Sequence, residues 1–356
     1  MVRVGLIGYG YWGPKLARCI APETGCELRA ICDLSEKRLA TAAADHPAAI
    51  LEHDGRRLLS DPRLDAVIIA TPADSHFDLT MAALATGKHV LVEKPMALSS
   101  RDAAAMIAEA RRKNLVLLVD HTYIHSPAIE AIREILARGS LGQIRGYRSY
   151  RWNAEGRRHD ADVLWDLAAH DFSILEYLFP AAAQAVRVSE LAAVHAEAQA
   201  VRPSEMAGGA DTAPSRAALS VHFPGALIAY IHVDWAAGEK QRRIEITGTK
   251  GSLVFDDLRE PKLRRFGPPG RAEPSTIELE ADEPLTRLAR HFAACIRGAE
   301  RTIDDACRVI RVLEAASRSL ASSGSLVPLD AECRPYQPRA PKETGLLCND
   351  AKLDAR

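Results

Sequence analysis

Read only as apolar and polar positions, the chain changes rhythm once. Up to about Asp120, short apolar runs alternate with amphipathic stretches. VRVGLI, CELRAIC, LDAVIIA, KHVLVEKP and LVLLVDH read as strands. Between them, the stretch from about Tyr11 to Ile20, SEKRLATAAAD, DSHFDLTMAALATG and SSRDAAAMIAEARRKN read as helices, with Ser35 placed as an N-cap. Near-continuous apolar strands separated by helices predict a parallel sheet covered on both faces.

From Thr122 the pattern differs. A helix from about Pro127 to Ala137 leads into a long strand, IRGYRSYRW, and then into an apolar helix, VLWDLAAHDFSILEYLF. The runs AAQAVRVSELAAVHA, RAALSVHF, ALIAYIHVDW, QRRIEITGT and GSLVFDD follow without intervening helices, which predicts an antiparallel or mixed sheet. Residues 201–214 read as a polar loop, and two late helices begin near Pro284 and Asp304. The expected division is a nucleotide-binding domain over 1–121, an α/β domain over 122–325 and a loose, Pro-rich tail over 326–356.

Composition narrows the function classes. With 46 basic and 47 acidic residues the net charge is −1, which gives no electrostatic case for nucleic acid or an anionic membrane. No apolar run reaches the ~20 residues of a membrane helix. The opening MVRVGLIGYG is already structural sequence, so no leader peptide and a complete, cytoplasmic chain are expected. The seven cysteines form no CxxC pair and read as reduced thiols.

The first candidate chemistry is IGYGYWGPK. Gly8, Gly10 and Gly13 follow a strand and open a helix, and Asp33 stands twenty residues beyond Gly13. In a βαβ unit that is a dinucleotide fingerprint, hence a Rossmann domain. Gly8 permits the tight turn, Gly10 the approach of a pyrophosphate, and Gly13 close packing of helix on strand. Asp33 is expected to accept hydrogen bonds from the adenosine ribose, favouring NAD over NADP; neighbouring Lys37 and Arg38 keep NADP open. Pro14 suits the first helical turn, Tyr11 and Trp12 are expected to wall the cofactor, and Tyr9 to pack.

Alongside GYGYWG stand ATPADSH (70–76), VEKP (92–95) and WDLAAHD (165–171). Together these resemble the Gfo/Idh/MocA oxidoreductases over roughly residues 2–325. The resemblance implies an N-terminal Rossmann domain, a doubly wound parallel sheet, and a C-terminal α/β domain with a large open, mostly antiparallel sheet. It implies assembly into homodimers or homotetramers through that sheet's outer face, and hydride transfer between a nicotinamide and a carbinol carbon. It assigns Lys94 as the catalytic lysine, placed also against the cofactor, with a cis peptide before Pro95. Asp166 and His170 become the catalytic DxxxH pair, Thr71, Pro72 and His76 the cofactor-side turn, and Glu93 a residue near the nicotinamide.

The residues themselves are consistent with that chemistry. A histidine, with an unperturbed pKa of about 6.5, can take the hydroxyl proton as the C–H hydride leaves. Asp166 and His170, at i and i+4 on a helical pattern, are expected on one face, His170 as general base and Asp166 as a hydroxyl ligand. Lys94, at the end of a parallel strand, can stabilise alkoxide character, and whether it or His170 makes the net proton transfer stays open. Asp171 reads as structural. His121 and His125 make an HxxxH, but zinc needs more ligands, so no metal is expected and His121 is placed with Tyr123 on the substrate side. Arg151 and Asn153 share one face of their strand and are further candidate substrate contacts, with Arg148 on the other. The motifs GYGYWGPK, HTYIHSPAI, LGQI and VLWDLAAHDFSI most resemble the subgroup oxidising C3 of UDP-linked amino sugars. A free amino sugar, an aminoglycoside or a cyclitol is the alternative, and a non-catalytic NAD-binding regulator a second.

Overall fold

The computed structural model of the chain describes residues 1–153, 162–179, 183–189, 215–224, 227–268, 273–300 and 306–329. The expected polar loop over 201–214 and the tail beyond Leu329 lie outside these residues.

The chain forms two units. In the first, strands β1 (Val2–Ile7), β2 (Cys26–Cys32), β3 (Ile50–Glu52), β4 (Ala66–Ile69), β5 (His89–Val92) and β6 (Leu117–Val119) make one parallel sheet in the order β3-β2-β1-β4-β5-β6. Helices α1 (Gly13–Cys19), α2 (Glu36–Asp45), α3 (Gly55–Ser60), α4 (His76–Ala85) and α5 (Ser100–Arg112) connect them. All four side chains of β4, AVII, are buried, which is the apolar run of a strand covered on both faces. The order reverses between β1 and β4, so the carboxyl ends of these strands flank the crevice where this sheet type binds ligands.

One boundary differs from expectation. Helix α8 (Pro284–Ile296) contributes Leu285, Leu288, Ala289 and Phe292 to a core shared with Val2, Val4, Leu16 and Cys26. From Leu285 onward it therefore belongs to the first unit, not to the 122–325 domain. Its apolar stripe announces a partner but cannot say which sheet that partner is.

The second unit holds α6 (Pro127–Ala137), β7 (Ile144–Trp152), α7 (Ala169–Leu178), β8 (Ala185–Ser189), β9 (Arg216–His222), β10 (Ile228–Asp234), β11 (Gln241–Gly248), β12 (Gly251–Asp256), β13 (Leu263–Phe266), β14 (Ser275–Thr276), α9 (Ala306–Ala321) and β15 (Val327–Pro328). Its sheet runs β14-β13-β12-β11-β7-β10-β9-β8-β15, antiparallel except for the parallel pair β7 and β10. Alternation along β7 buries Tyr147, Ser149 and Arg151 on one face and exposes Arg148 on the other. The expected tail starts in structure: Val327 and Pro328 pair with Val186 and Ala185.

Among the described residues Cys19, Cys26, Cys32 and Cys295 are buried thiols, but Cys307 is disulfide-bonded, against the expectation of thiols throughout. Spacing alone does not signal that bond. No helix among the described residues is long and apolar enough to cross a membrane.

Candidate active site

In the first unit, the candidate residues all lie just beyond the carboxyl ends of strands. Gly8 to Gly13 follow β1, Asp33 follows β2, Thr71 and Pro72 follow β4, and Glu93 and Lys94 follow β5. Gly8 has φ +96°, and a Cβ there would stand 2.5 Å from the Ala70 carbonyl oxygen. At Gly13 a Cβ would stand 2.3 Å from the Gly8 carbonyl oxygen. These two glycines make the turn and the helix contact. Gly10 is different, since a Cβ there would meet nothing closer than Arg38 at 4.0 Å. Its open side is the room a pyrophosphate needs.

Asp33 is set by its surroundings. Its Oδ2 accepts from the Tyr9 N–H at 2.7 Å and its Oδ1 from the Ser35 N–H at 2.8 Å, while the Arg38 guanidinium lies 3.6 Å away. The carboxylate thus ties the end of β2 to the glycine turn. The open side of Gly10 and this anchored acceptor fit a dinucleotide, so these residues would hold NAD. Tyr9 packs as expected, 3 % exposed, its hydroxyl donating to Asp45. Tyr11 is 74 % exposed, and the Lys15 ammonium sits 3.5 Å from its ring centre and 4.3 Å from that of Trp12. Sequence reasoning passed over Lys15. We expect Asp33→Ala to weaken NAD binding by about tenfold or more and to narrow the preference over NADP, as read by titration of both cofactors.

His76 has another place than expected. It is 1 % exposed, with Nδ1 2.8 Å from the Pro95 carbonyl and Nε2 2.8 Å from the Thr71 carbonyl. Burial, the largest effect, lowers its pKa, while the two carbonyls oppose that. It therefore staples the Thr71–Pro72 turn to the Lys94–Pro95 turn from beneath instead of lining the cofactor surface. The Lys94–Pro95 peptide is cis.

Glu93 is buried, and its Oε2 accepts from the Lys94 N–H at 3.1 Å. Burial, and then the neighbouring Asp120 carboxylate, hold its pKa well above the usual range. An acid raised in this way stabilises the fold while protonated; that contribution is complete below the unfolded pKa and is lost as pH rises through the folded one. Glu93→Gln, which cannot ionise, is expected to flatten the fall in Tm on the alkaline side, measured by thermal unfolding from pH 5 to pH 9. An unchanged slope would place the titrating group elsewhere. Asp120 was missed because its role appears only when β5 and β6 are adjacent.

In the second unit, Asp166 lies in a π-helical turn, Leu164–Ala168, that opens into α7, where His170 occupies the first turn. The expected regular α spacing is corrected: the turn is widened to i→i+5, a form that recurs at functional sites. Asp166 is 8 % exposed and its Oδ2 accepts from Trp235 Nε1 at 3.1 Å. Trp235, just past β10, was not foreseen, and only tertiary structure brings it there. The His170 ring meets Tyr123 edge-on, with ring centres 5.0 Å apart.

Arg151 corrects a further expectation. It is 5 % exposed, and its Nε donates to Asp171 Oδ2 at 2.7 Å, so it is a buried support and not an open substrate contact. Asn153 closes β7, its N–H donating to the Asp234 carbonyl at 2.8 Å. His121 and His125 are both buried, and among the described residues no group of three or more His, Cys, Asp or Glu is arranged for a metal.

Two family models match the chain. Residues 2–121 match the oxidoreductase family described as an NAD-binding Rossmann fold, and residues 129–254 match the GFO/IDH/MocA C-terminal domain. The chain belongs to the Gfo/Idh/MocA oxidoreductases. Its first unit is the NAD-binding domain, and NAD is its cofactor. The chain is 28 % identical over 296 residues to the 1,5-anhydro-D-fructose reductase of Ensifer adhaerens, covering 80 % of this chain and 83 % of that one. A UDP-N-acetylglucosamine 3-dehydrogenase from Acidithiobacillus ferrooxidans superposes with TM-score 0.75 at 25 % identity, over 90 % of this chain and 97 % of that one. A levoglucosan dehydrogenase solved with NADH and levoglucosan superposes with TM-score 0.78 at 21 % identity, over 92 % and 99 %, and speaks for the fold alone.

Proposed function

We propose that this oxidoreductase removes hydride from a ring carbinol of a sugar, C3 of a nucleotide-linked amino sugar being the substrate the motifs favour. The observation that carries the reading is the helix start, where an anchored carboxylate, Asp166, stands one turn from an imidazole, His170. That pair suits adjacent hydroxyls: Asp166, oriented by Trp235, binds one, and His170 takes the proton of the other. When bound, NAD supplies the hydride acceptor. Lys94, at the end of β5, donates to the reacting oxygen and stabilises its developing charge. Support for the nucleotide-sugar substrate comes from the motifs GYGYWGPK, HTYIHSPAI and VLWDLAAHDFSI and from the likeness to the UDP-N-acetylglucosamine 3-dehydrogenase. The likeness to the 1,5-anhydro-D-fructose reductase keeps a free sugar as the second reading. Incubating the protein with NAD and panels of UDP-sugars, free amino sugars and cyclitols, while following reduced cofactor, separates the two. Turnover confined to free sugars or cyclitols would sink the nucleotide-sugar reading.

We further infer a homodimer or homotetramer assembled through the outer face of the nine-stranded sheet. On that face Arg148 lies in register between Tyr230 and Glu245, so an exposed aromatic, an arginine and a carboxylate stand side by side across three strands.

A further inference from the structure

Arg151 on β7 and Arg242 on β11 are direct cross-strand partners. Like charges directly opposite one another destabilise a sheet, and burying one of them adds a desolvation cost. Sheet stability alone therefore does not account for this pair. Each has an anion: Arg151 is bound to Asp171 at 2.7 Å, and Arg242 lies 3.7 Å from Asp257. What the two share is Tyr123. The Arg151 guanidinium lies 4.4 Å and that of Arg242 5.8 Å from the centre of its ring. Tyr123 sits in a single 3₁₀ turn, Thr122–His125, a short element with little rigidity of its own. Two cations on the ring fix it as the turn alone would not. The other side of the arrangement is His170, which meets the same ring at 72°. Asp171, the next residue after His170, is also the anion that holds Arg151. The start of α7 is therefore fastened twice, through the Asp171 carboxylate by the buried ion pair and through the imidazole by the tyrosine.

We infer that Tyr123 is a positioning residue for His170, clamped by the opposed arginines, and that it acts through the ring that meets the imidazole. The inference rests on the reading of His170 as the base. A base held loosely loses rate without losing binding, because geometry at the reacting atom is worth up to ~10²-fold per ångström of displacement. Tyr123→Leu is expected to lower kcat by ~30-fold with KM within ~3-fold. Tyr123→Phe keeps the ring and is expected to lose clearly less kcat than Tyr123→Leu.

A second readout is independent of turnover. In protein carrying ¹³C-labelled histidine, the His170 ring resonance is assigned by its loss in His170→Ala. It should shift in Tyr123→Leu and keep its place in Tyr123→Phe. An unshifted resonance in Tyr123→Leu, or unchanged kcat in that variant, would overturn the inference. So would a rise in KM alone, which would make Tyr123 a substrate contact, or a loss in Tyr123→Phe as large as that in Tyr123→Leu, which would assign the work to the hydroxyl. Full turnover in His170→Ala would instead remove the base assignment itself, whatever the resonance does.

Discussion

His170→Ala is expected to lose ~10²-fold or more in kcat while NAD binds as before. The imidazole stands in the second unit, whereas the glycine turn, Asp33 and the Thr71 turn stand in the first. Its loss removes the group that takes the hydroxyl proton and leaves every cofactor-side residue in place. Lys94→Met is expected to fall as far in kcat, since it removes the cation that stabilises the developing alkoxide. Steady-state kinetics and calorimetric titration with NAD check both halves of the statement. If both variants kept near-parental turnover, the assignment of Lys94 and His170 would be wrong. If His170→Ala failed to bind NAD, the placing of cofactor binding on residues of the first unit alone would be wrong.

Gly10→Val is expected to abolish measurable NAD binding while leaving the protein folded. The reason lies in the contrast among the three glycines. Added atoms at Gly10 enter open space, with Arg38 the nearest group at 4.0 Å. At Gly8 a side chain meets the Ala70 carbonyl oxygen at 2.5 Å in a backbone with φ +96°. Gly8→Val is therefore expected to cost about 2–4 kcal/mol of stability and to lower Tm clearly. Thermal unfolding and NAD titration together separate the two. A Gly10→Val protein that still bound NAD at parental affinity would show that the open side of this turn is not where the pyrophosphate lies.

Much of this was readable in the sequence because it rests on local rules. The apolar runs of β1, β4 and β5 and the turn residues after them state a parallel sheet and its ligand edge. The helix Pro127–Ala137 follows from its proline start and apolar stripe. What could not be read depends on which distant elements meet. Nothing local says that α8 packs against Val4 and Leu16, that Trp235 reaches Asp166, or that Asp171 takes Arg151 out of reach of a substrate. Likewise, HxxxH and DxxxH are equally plain as patterns. Burial of His121 and His125, against the half-buried His170 beside Tyr123, is a property of the fold. The π-turn at Leu164–Ala168 also escapes a reading by periodicity, because one widened turn leaves the apolar spacing around it nearly unchanged.

The most direct measurement is transfer of label. The protein would be incubated with NAD and UDP-N-acetylglucosamine carrying deuterium at C3, and the reduced cofactor examined by mass spectrometry. The account predicts singly deuterated NADH together with a 3-keto nucleotide sugar. Unlabelled NADH, or no NADH with this substrate while a free sugar or cyclitol is oxidised, would contradict it.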